Sequence, residues 1–243
     1  MVLPTVKTKA AENVNPKLLI IYGKPKSGKT TLMAALDDNL IIDFEKGTSY
    51  VDALKVNVES MKDISELVAA LKEKKGDNEY AYKFGTLDTA TAMEDMVSSL
   101  AVSMYKKTPM GANFTGNDVT ILPNGAGYKF TREAFLYVLN LFKPYFKHLI
   151  LLGHTKDKMI NVQGKELSQN SLDLTGKLER IVAAEADGLG YLFRKKNQTI
   201  LNFNGGEDYV VEARPAHLRG KEIVVMESNE AGKITHFLER IFI

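Results

Sequence analysis

The sequence has no cysteine and no tryptophan, and only six arginines and seven prolines among 243 residues. Without thiols there is no disulfide scaffold, no thiolate nucleophile and no Cys-ligated zinc or iron–sulfur centre. Nor is there a large excess of one charge. Thirty-two Lys and Arg stand against 30 Asp and Glu, for a formal net charge of +2. Any contact with nucleic acid must therefore come from a local patch. No apolar run approaches the roughly 20 residues that span a bilayer. Residues 1–16 lack the apolar core of a signal peptide, so the reading is a soluble, cytoplasmic protein without a membrane partner. What remains is ordinary globular composition, 44% hydrophobic and 26% charged, in a chain long enough to bury a substantial core.

Residues 1–16 are polar and aperiodic, which predicts an arm or tail ahead of one domain over 17–243. Leu18-Leu19-Ile20-Ile21-Tyr22 is a short continuous apolar run, as expected of a strand covered on both faces of a parallel sheet. A glycine-containing loop and a helix over about 29–36 follow. Further core strands are expected at 40–44, 82–87 and 148–152, with a weaker one at 55–58. Helices are expected at 64–74, 90–104 and 129–142. Two long polar stretches, 106–127 and 154–173, read as loops. Short strands at 190–193 and 199–203 flank Lys195-Lys196-Asn197-Gln198, which reads as a hairpin turn. Alternating strands and helices predict an α/β fold: a mainly parallel, twisted sheet flanked by helices, with a C-terminal β-hairpin extension.

Gly23-Lys24-Pro25-Lys26-Ser27-Gly28-Lys29-Thr30 fits G-x-x-x-x-G-K-[ST], and Thr31 follows it. Such a loop wraps backbone N–H groups around phosphates, and its glycines permit close approach and unusual dihedrals. The helix behind it presents its positive end to the same anion. Lys29 supplies a mobile cation for the β- and γ-phosphates, and the Thr30 hydroxyl is placed for Mg²⁺. The motif sits between a buried strand and a helix, the context it requires, and predicts an ATP–Mg site.

A carboxylate at the end of another core strand is the second requirement, and Asp88 fits. Thr89 follows it, so the Asp-Glu pair of many motor ATPases is absent. The base must come from elsewhere, and Glu45, just past Ile41-Ile42-Asp43-Phe44, is the candidate to orient and deprotonate the attacking water. These elements, with Thr-Leu-Asp-Thr-Ala-Thr at 86–91 and Leu-Leu-Gly-His-Thr-Lys-Asp-Lys at 151–158, resemble the RecA-like P-loop ATPase core. The spacing is most similar to the compact RecA-like proteins of bacteriophages that act in recombination and single-strand annealing. The resemblance implies that Glu45 is the base and Asp88 the magnesium carboxylate, and that His154 senses the γ-phosphate. It also implies a homo-oligomer, ring or filament, working in the bacterial host cytoplasm with single-stranded DNA. Single-strand-binding or replication proteins are its implied partners.

In that family DNA is held by two loops, one ahead of the sensor strand and one after it. The first loop here carries Lys106, Lys107, Phe114, Tyr128, Lys129 and Phe130; the second carries Lys156, Lys158, Lys165 and Lys177. Basic groups with aromatics suit sequence-tolerant single-strand binding. Lys106, Lys107, Lys129 and Lys165 are the DNA candidates. With few arginines available, Lys156 and Lys158 are the candidates for a finger reaching a neighbour's site. Two other classes share the phosphate loop. A small-molecule kinase normally adds an arginine-bearing lid, and here only Arg214 and Arg219 lie close together. A nucleotide-binding scaffold would show no turnover stimulated by DNA.

Overall fold

The computed structural model describes residues 14–162, 165–206 and 208–243, without the side chains of 160–167. Most of the expected arm therefore lies outside the described residues.

Strand β1 (Leu18–Tyr22) is buried at every position. Leu18, Ile20 and Tyr22 join one hydrophobic cluster and Leu19 and Ile21 the other. That is the period-two alternation of a strand sandwiched between two layers. Each such side chain contributes about 1.5–3 kcal/mol of burial. The other parallel strands are β2 (Asn39–Asp43), β3 (Leu54–Asn57), β4 (Tyr82–Asp88), β5 (Phe146–Gly153) and β8 (Gly188–Lys195). With the antiparallel β9 (Gln198–Asn202), β11 (Glu222–Ser228) and β12 (Ile234–His236), the order is β3-β2-β4-β5-β1-β8-β9-β11-β12; β10 (Glu212–Ala213) pairs with β8. One strand, β5, thus separates the strand leading into the phosphate loop from the strand ending in Asp88. This is the mainly parallel, helix-flanked sheet that the sequence predicts, and β8–β9 is the expected hairpin.

Helices α2 (Met61–Lys75), α3 (Ala90–Met96), α4 (Ser98–Lys106), α5 (Gly127–Phe142) and α6 (Leu178–Glu185) cover one face. Helix α1 (Lys29–Ala34) and the C-terminal segment cover the other. Phe135 and Phe142 of α5 are fully buried against the sheet. Helix α2 begins before its apolar stripe because the Ser60 hydroxyl accepts from the Asp63 N–H, and it ends at Gly76, whose φ is +49°.

Three elements depart from the sequence reading. The helix expected over 90–104 is two helices meeting at Val97, whose N–H already turns back to Asp95 and Met93. Helix α6 was not anticipated; Leu178 and Val182, one turn apart, are the buried pair that defines it. The stretch 154–173 is an antiparallel hairpin, β6 (Thr155–Val162) with β7 (Lys165–Leu172), in register over eight pairs from Thr155↔Leu172. Its mostly polar sequence conceals it, because it shows no hydrophobic alternation. The hairpin is tied down through Asn170, which bridges to Tyr209, and through the Tyr22 hydroxyl, which donates to Asn170 O (3.2 Å) and Val210 O (2.8 Å).

The stretch 106–127 remains largely irregular, closing onto the start of α5 at Gly127. A Cβ there would lie 1.6 Å from the Val119 carbonyl oxygen, so only glycine admits this approach.

Candidate functional site at the strand ends

The parallel ladders bring the ends of four strands level. Tyr22 is in register with Gly153, Leu87 with Leu151, and Asp43 with Asp88. Whatever follows these strands shares one edge of the sheet, where open α/β sheets place their sites.

After β1 the chain runs through 23–28 into α1. Gly28, with φ at +100°, ends the loop in a conformation that disfavours any side chain. Lys29 is buried, and its Nζ donates to the carbonyls of Gly23 (3.0 Å) and Lys24 (3.2 Å), folding the loop around its own ammonium. Burial pulls the pKa of this group down, opposed by the negative charges of Asp88 and Glu45. The Ser27 hydroxyl is buried and has no hydrogen-bond partner among the described residues, an unspent donor of the kind a bound phosphate oxygen would accept from.

The Thr30 hydroxyl donates to Asp88 Oδ2 at 2.6 Å, linking the start of α1 to the end of β4. Burial pushes the Asp88 carboxyl up to about 6, with smaller upward contributions from Glu45 and Asp43, while the Thr30 bond works the other way. A hydroxyl and a carboxylate form an all-oxygen donor set, which suits Mg²⁺ and fits the residues present. Asp88 does not cap the helix behind it. That role falls to Thr89, whose hydroxyl oxygen accepts from Ala92 N–H, leaving Asp88 facing Thr30.

Glu45 lies two residues past β2, in a turn built by Asp43. The buried Asp43 carboxylate accepts from the N–H groups of Glu45 (2.8 Å), Gly47 (3.4 Å) and Thr48 (3.0 Å), and from the Thr48 hydroxyl (2.7 Å). Asp43 therefore shapes the loop that aims Glu45. Glu45 Oε1 accepts from the Thr89 hydroxyl and, at 2.8 Å, from His154 Nε2. A carboxylate can only accept, so Nε2 carries the proton. These contacts, the His154 bond foremost, hold Glu45 below the usual carboxylate range, against the effect of partial burial. Both donors meet Oε1, and Oε2 has no hydrogen-bond partner among the described residues. It is ionised and open on one side, as a base needs to be.

The other candidates lie further out. Lys106 ends α4, and Lys107 follows it on the surface. Lys129 pairs with Glu133 (3.7 Å) on α5. The side chain of Lys165 lies outside the described residues. Phe114 and Phe130 both pack on Tyr105, at 5.2 and 5.1 Å between ring centroids, while Tyr128 stays 40% exposed. Lys156 is engaged within its own chain by Leu174 O and by Glu179 (3.6 Å). Lys158 is exposed and lines, with Lys177 and Arg180, a cavity of about 650 Å³ beside α6, away from the phosphate loop. Arg214 pairs with Asp187 (3.3 Å) and Arg219 donates to the carbonyls of Ala213 and Arg214. Among the described residues, no three His, Asp or Glu side chains gather to hold a metal, and no helix is long and apolar enough to cross a membrane.

Arg194 is a residue that the sequence reading missed. Its Nε donates to the Ser27 carbonyl at 3.3 Å, beside the phosphate loop. The two positions are 167 residues apart and meet only because β8 pairs with β1.

No curated protein matches the sequence. Among solved structures the chain is similar to the RadB recombinase, with 14% identity, a TM-score of 0.46 and 92% of each chain covered. The model of a family described as AAA domain matches residues 15–218, a span that holds every element of this site, and the chain belongs to that family.

Proposed function

We propose that the protein is a Mg²⁺-dependent ATPase that acts on single-stranded DNA. The observation that carries the reading is the convergence of Lys29, Thr30, Asp88, Glu45 and His154 at the ends of β1, β2, β4 and β5. Bound ATP would supply the γ-phosphoryl group, and Mg²⁺ the charge that neutralises its oxygens. The chain's residues then divide the work. Residues 23–28 and Lys29 bind the phosphates, with Thr31 beside them, Thr30 and Asp88 hold the metal, and Glu45 Oε2 takes the proton of the attacking water. His154 keeps Glu45 oriented and ionised and stands at the root of the β6–β7 hairpin.

The DNA part of the reading rests on the resemblance to RecA-like phage proteins and on two lysine-bearing segments, one ahead of β5 and one after it. Lys106, Lys107, Lys129 and Lys165 would contact phosphates, with Tyr128 as the exposed aromatic. We further infer a homo-oligomer in which residues 17–243 form the ATPase domain. Of the two finger candidates, Lys158 is favoured, because Lys156 is held by Leu174 and Glu179. The kinase alternative is disfavoured, since Arg214 and Arg219 are spent on contacts near Asp187 instead of a lid. The test is ATP turnover with and without single-stranded DNA, alongside a sizing measurement. DNA-stimulated turnover in an oligomer is expected; phosphorylation of a nucleoside or nucleotide in its place would move the protein to the kinase class.

A further inference from the structure

The C-terminal extension reaches the phosphate loop from outside. Arg194 stands near the end of β8, paired with Thr199 of β9, which is itself paired with Met226 of β11. The β9–β11 ladder shifts register between Val224 and Met226. Such a bulge re-aims the side chain that follows it. Both side chains close on Gly28: a Cβ built there would lie 2.9 Å from Met226 Cε and 3.4 Å from Arg194 Nη2. From the same position Arg194 Nε donates to the Ser27 carbonyl at 3.3 Å.

In a planar trans peptide the N–H points opposite to the C=O. A cation bonded to the Ser27 carbonyl on the outside therefore faces a Gly28 N–H directed to the other side. That N–H has no hydrogen-bond partner among the described residues. A charge-assisted bond to the oxygen of an amide polarises the amide and makes its N–H a better donor. The buried, unpartnered Ser27 hydroxyl is a second unspent donor in the same loop.

We propose that Arg194 is a positioning residue that raises the loop's affinity for the pyrophosphate moiety of nucleotides through the Ser27–Gly28 peptide, without touching the nucleotide. The C-terminal sheet extension is then part of the binding device. A finger of the RecA type acts on the γ-phosphate; this arginine acts on any ligand that keeps the β-phosphate. The inference rests on the phosphate-loop reading above.

The test is a binding titration of the full chain with ADP and, separately, with inorganic pyrophosphate, both in the presence of Mg²⁺. Wild type, Arg194→Met, Arg194→Lys and Lys29→Ala are compared, and the melting temperature of each ligand-free chain is recorded. Arg194→Met is expected to weaken ADP and pyrophosphate equally, by about ten-fold. Arg194→Lys, which keeps the charge but not the guanidinium geometry, is expected to recover part of that loss. Should Arg194→Met fail to fold, the Arg194→Lys titration and the Gly28 amide proton shift of that variant carry the test. Unchanged affinity in the arginine variants, with Lys29→Ala weakened, overturns this proposal alone. So does a loss for ADP but not for pyrophosphate, which would put Arg194 on the nucleoside. A wild-type chain that binds neither ligand overturns both this proposal and the phosphate-loop reading.

Discussion

Glu45 and His154, 109 positions apart in the chain, meet at 2.8 Å through Glu45 Oε1 and His154 Nε2. Neither belongs to a strand. One follows β2 and the other follows β5, and the pairing of β2 with β4 and of β4 with β5 sets their separation. The contact joins the proposed base to the residue that leads into the β6–β7 hairpin.

His154→Ala removes the largest influence holding the Glu45 pKa down. With Glu45 as the proposed base, turnover needs it ionised and is expected to fall as pH drops through that pKa. In His154→Ala the pKa returns toward the ordinary value, and the acid limb of the pH–rate profile is expected to move to higher pH. The kcat profile of both proteins between pH 4 and about 8 checks this. Coincident acid limbs would mean that the contact does not tune the base.

Asp88→Asn replaces a carboxylate by a neutral amide beside Thr30, at the proposed metal position. It is expected to weaken the Mg²⁺-dependent part of ATP binding while leaving the Mg²⁺-independent part largely intact. Titrating nucleotide with Mg²⁺ and with EDTA separates the two contributions. Equal losses under both conditions would assign Asp88 to the fold of the loop, not to the metal.

Single-strand affinity is expected to fall steeply with salt, because each lysine–phosphate pairing releases counterions. Replacing Lys106 and Lys107 together, or Lys165 alone, is expected to reduce the slope of log K against log salt by about one for each lysine replaced. ATP binding without DNA should hold. A slope that these changes leave untouched would place the strand elsewhere.

His148 lies at the opposite end of β5 from His154. It is buried between Phe84 and Phe242, at 5.3 and 5.5 Å between ring centroids, with Nδ1 2.8 Å from the Pro16 carbonyl. Burial lowers its pKa below the usual 6.5 despite that hydrogen bond. The unfolded chain then binds the proton more readily than the folded one. Stability contributed by the neutral ring is full above pH 6.5 and is lost as pH falls toward the folded-state pKa. Urea unfolding at pH 7.5 and about 5.5 is expected to show a loss in wild type that is smaller in His148→Gln.

The parallel core and the phosphate loop were legible because their signals are local: apolar runs bounded by glycine, and one contiguous motif. The places of Asp88, at the end of β4, and of Glu45, two residues past β2, were also legible, since a carboxylate at the end of a buried strand needs only the strand to be found. The Asp43 network was not, because its partners are backbone N–H groups that no residue identity announces. The β6–β7 hairpin hid behind polar residues, and Phe114 and Phe130 looked available until Tyr105 was seen between them. Arg194 was the least legible, since its contact with Ser27 exists only through the β1–β8 pairing.

The central claim is that Lys29 binds the phosphates and Glu45 takes the proton. The most direct measurement is ATP affinity and turnover of wild type, Lys29→Ala and Glu45→Gln under one set of conditions. Lys29→Ala is expected to lose nucleotide binding. Glu45→Gln is expected to keep affinity within a few-fold while turnover falls by about 10²–10⁴. Wild-type turnover in Lys29→Ala, or an equal loss of affinity in both variants, would contradict it.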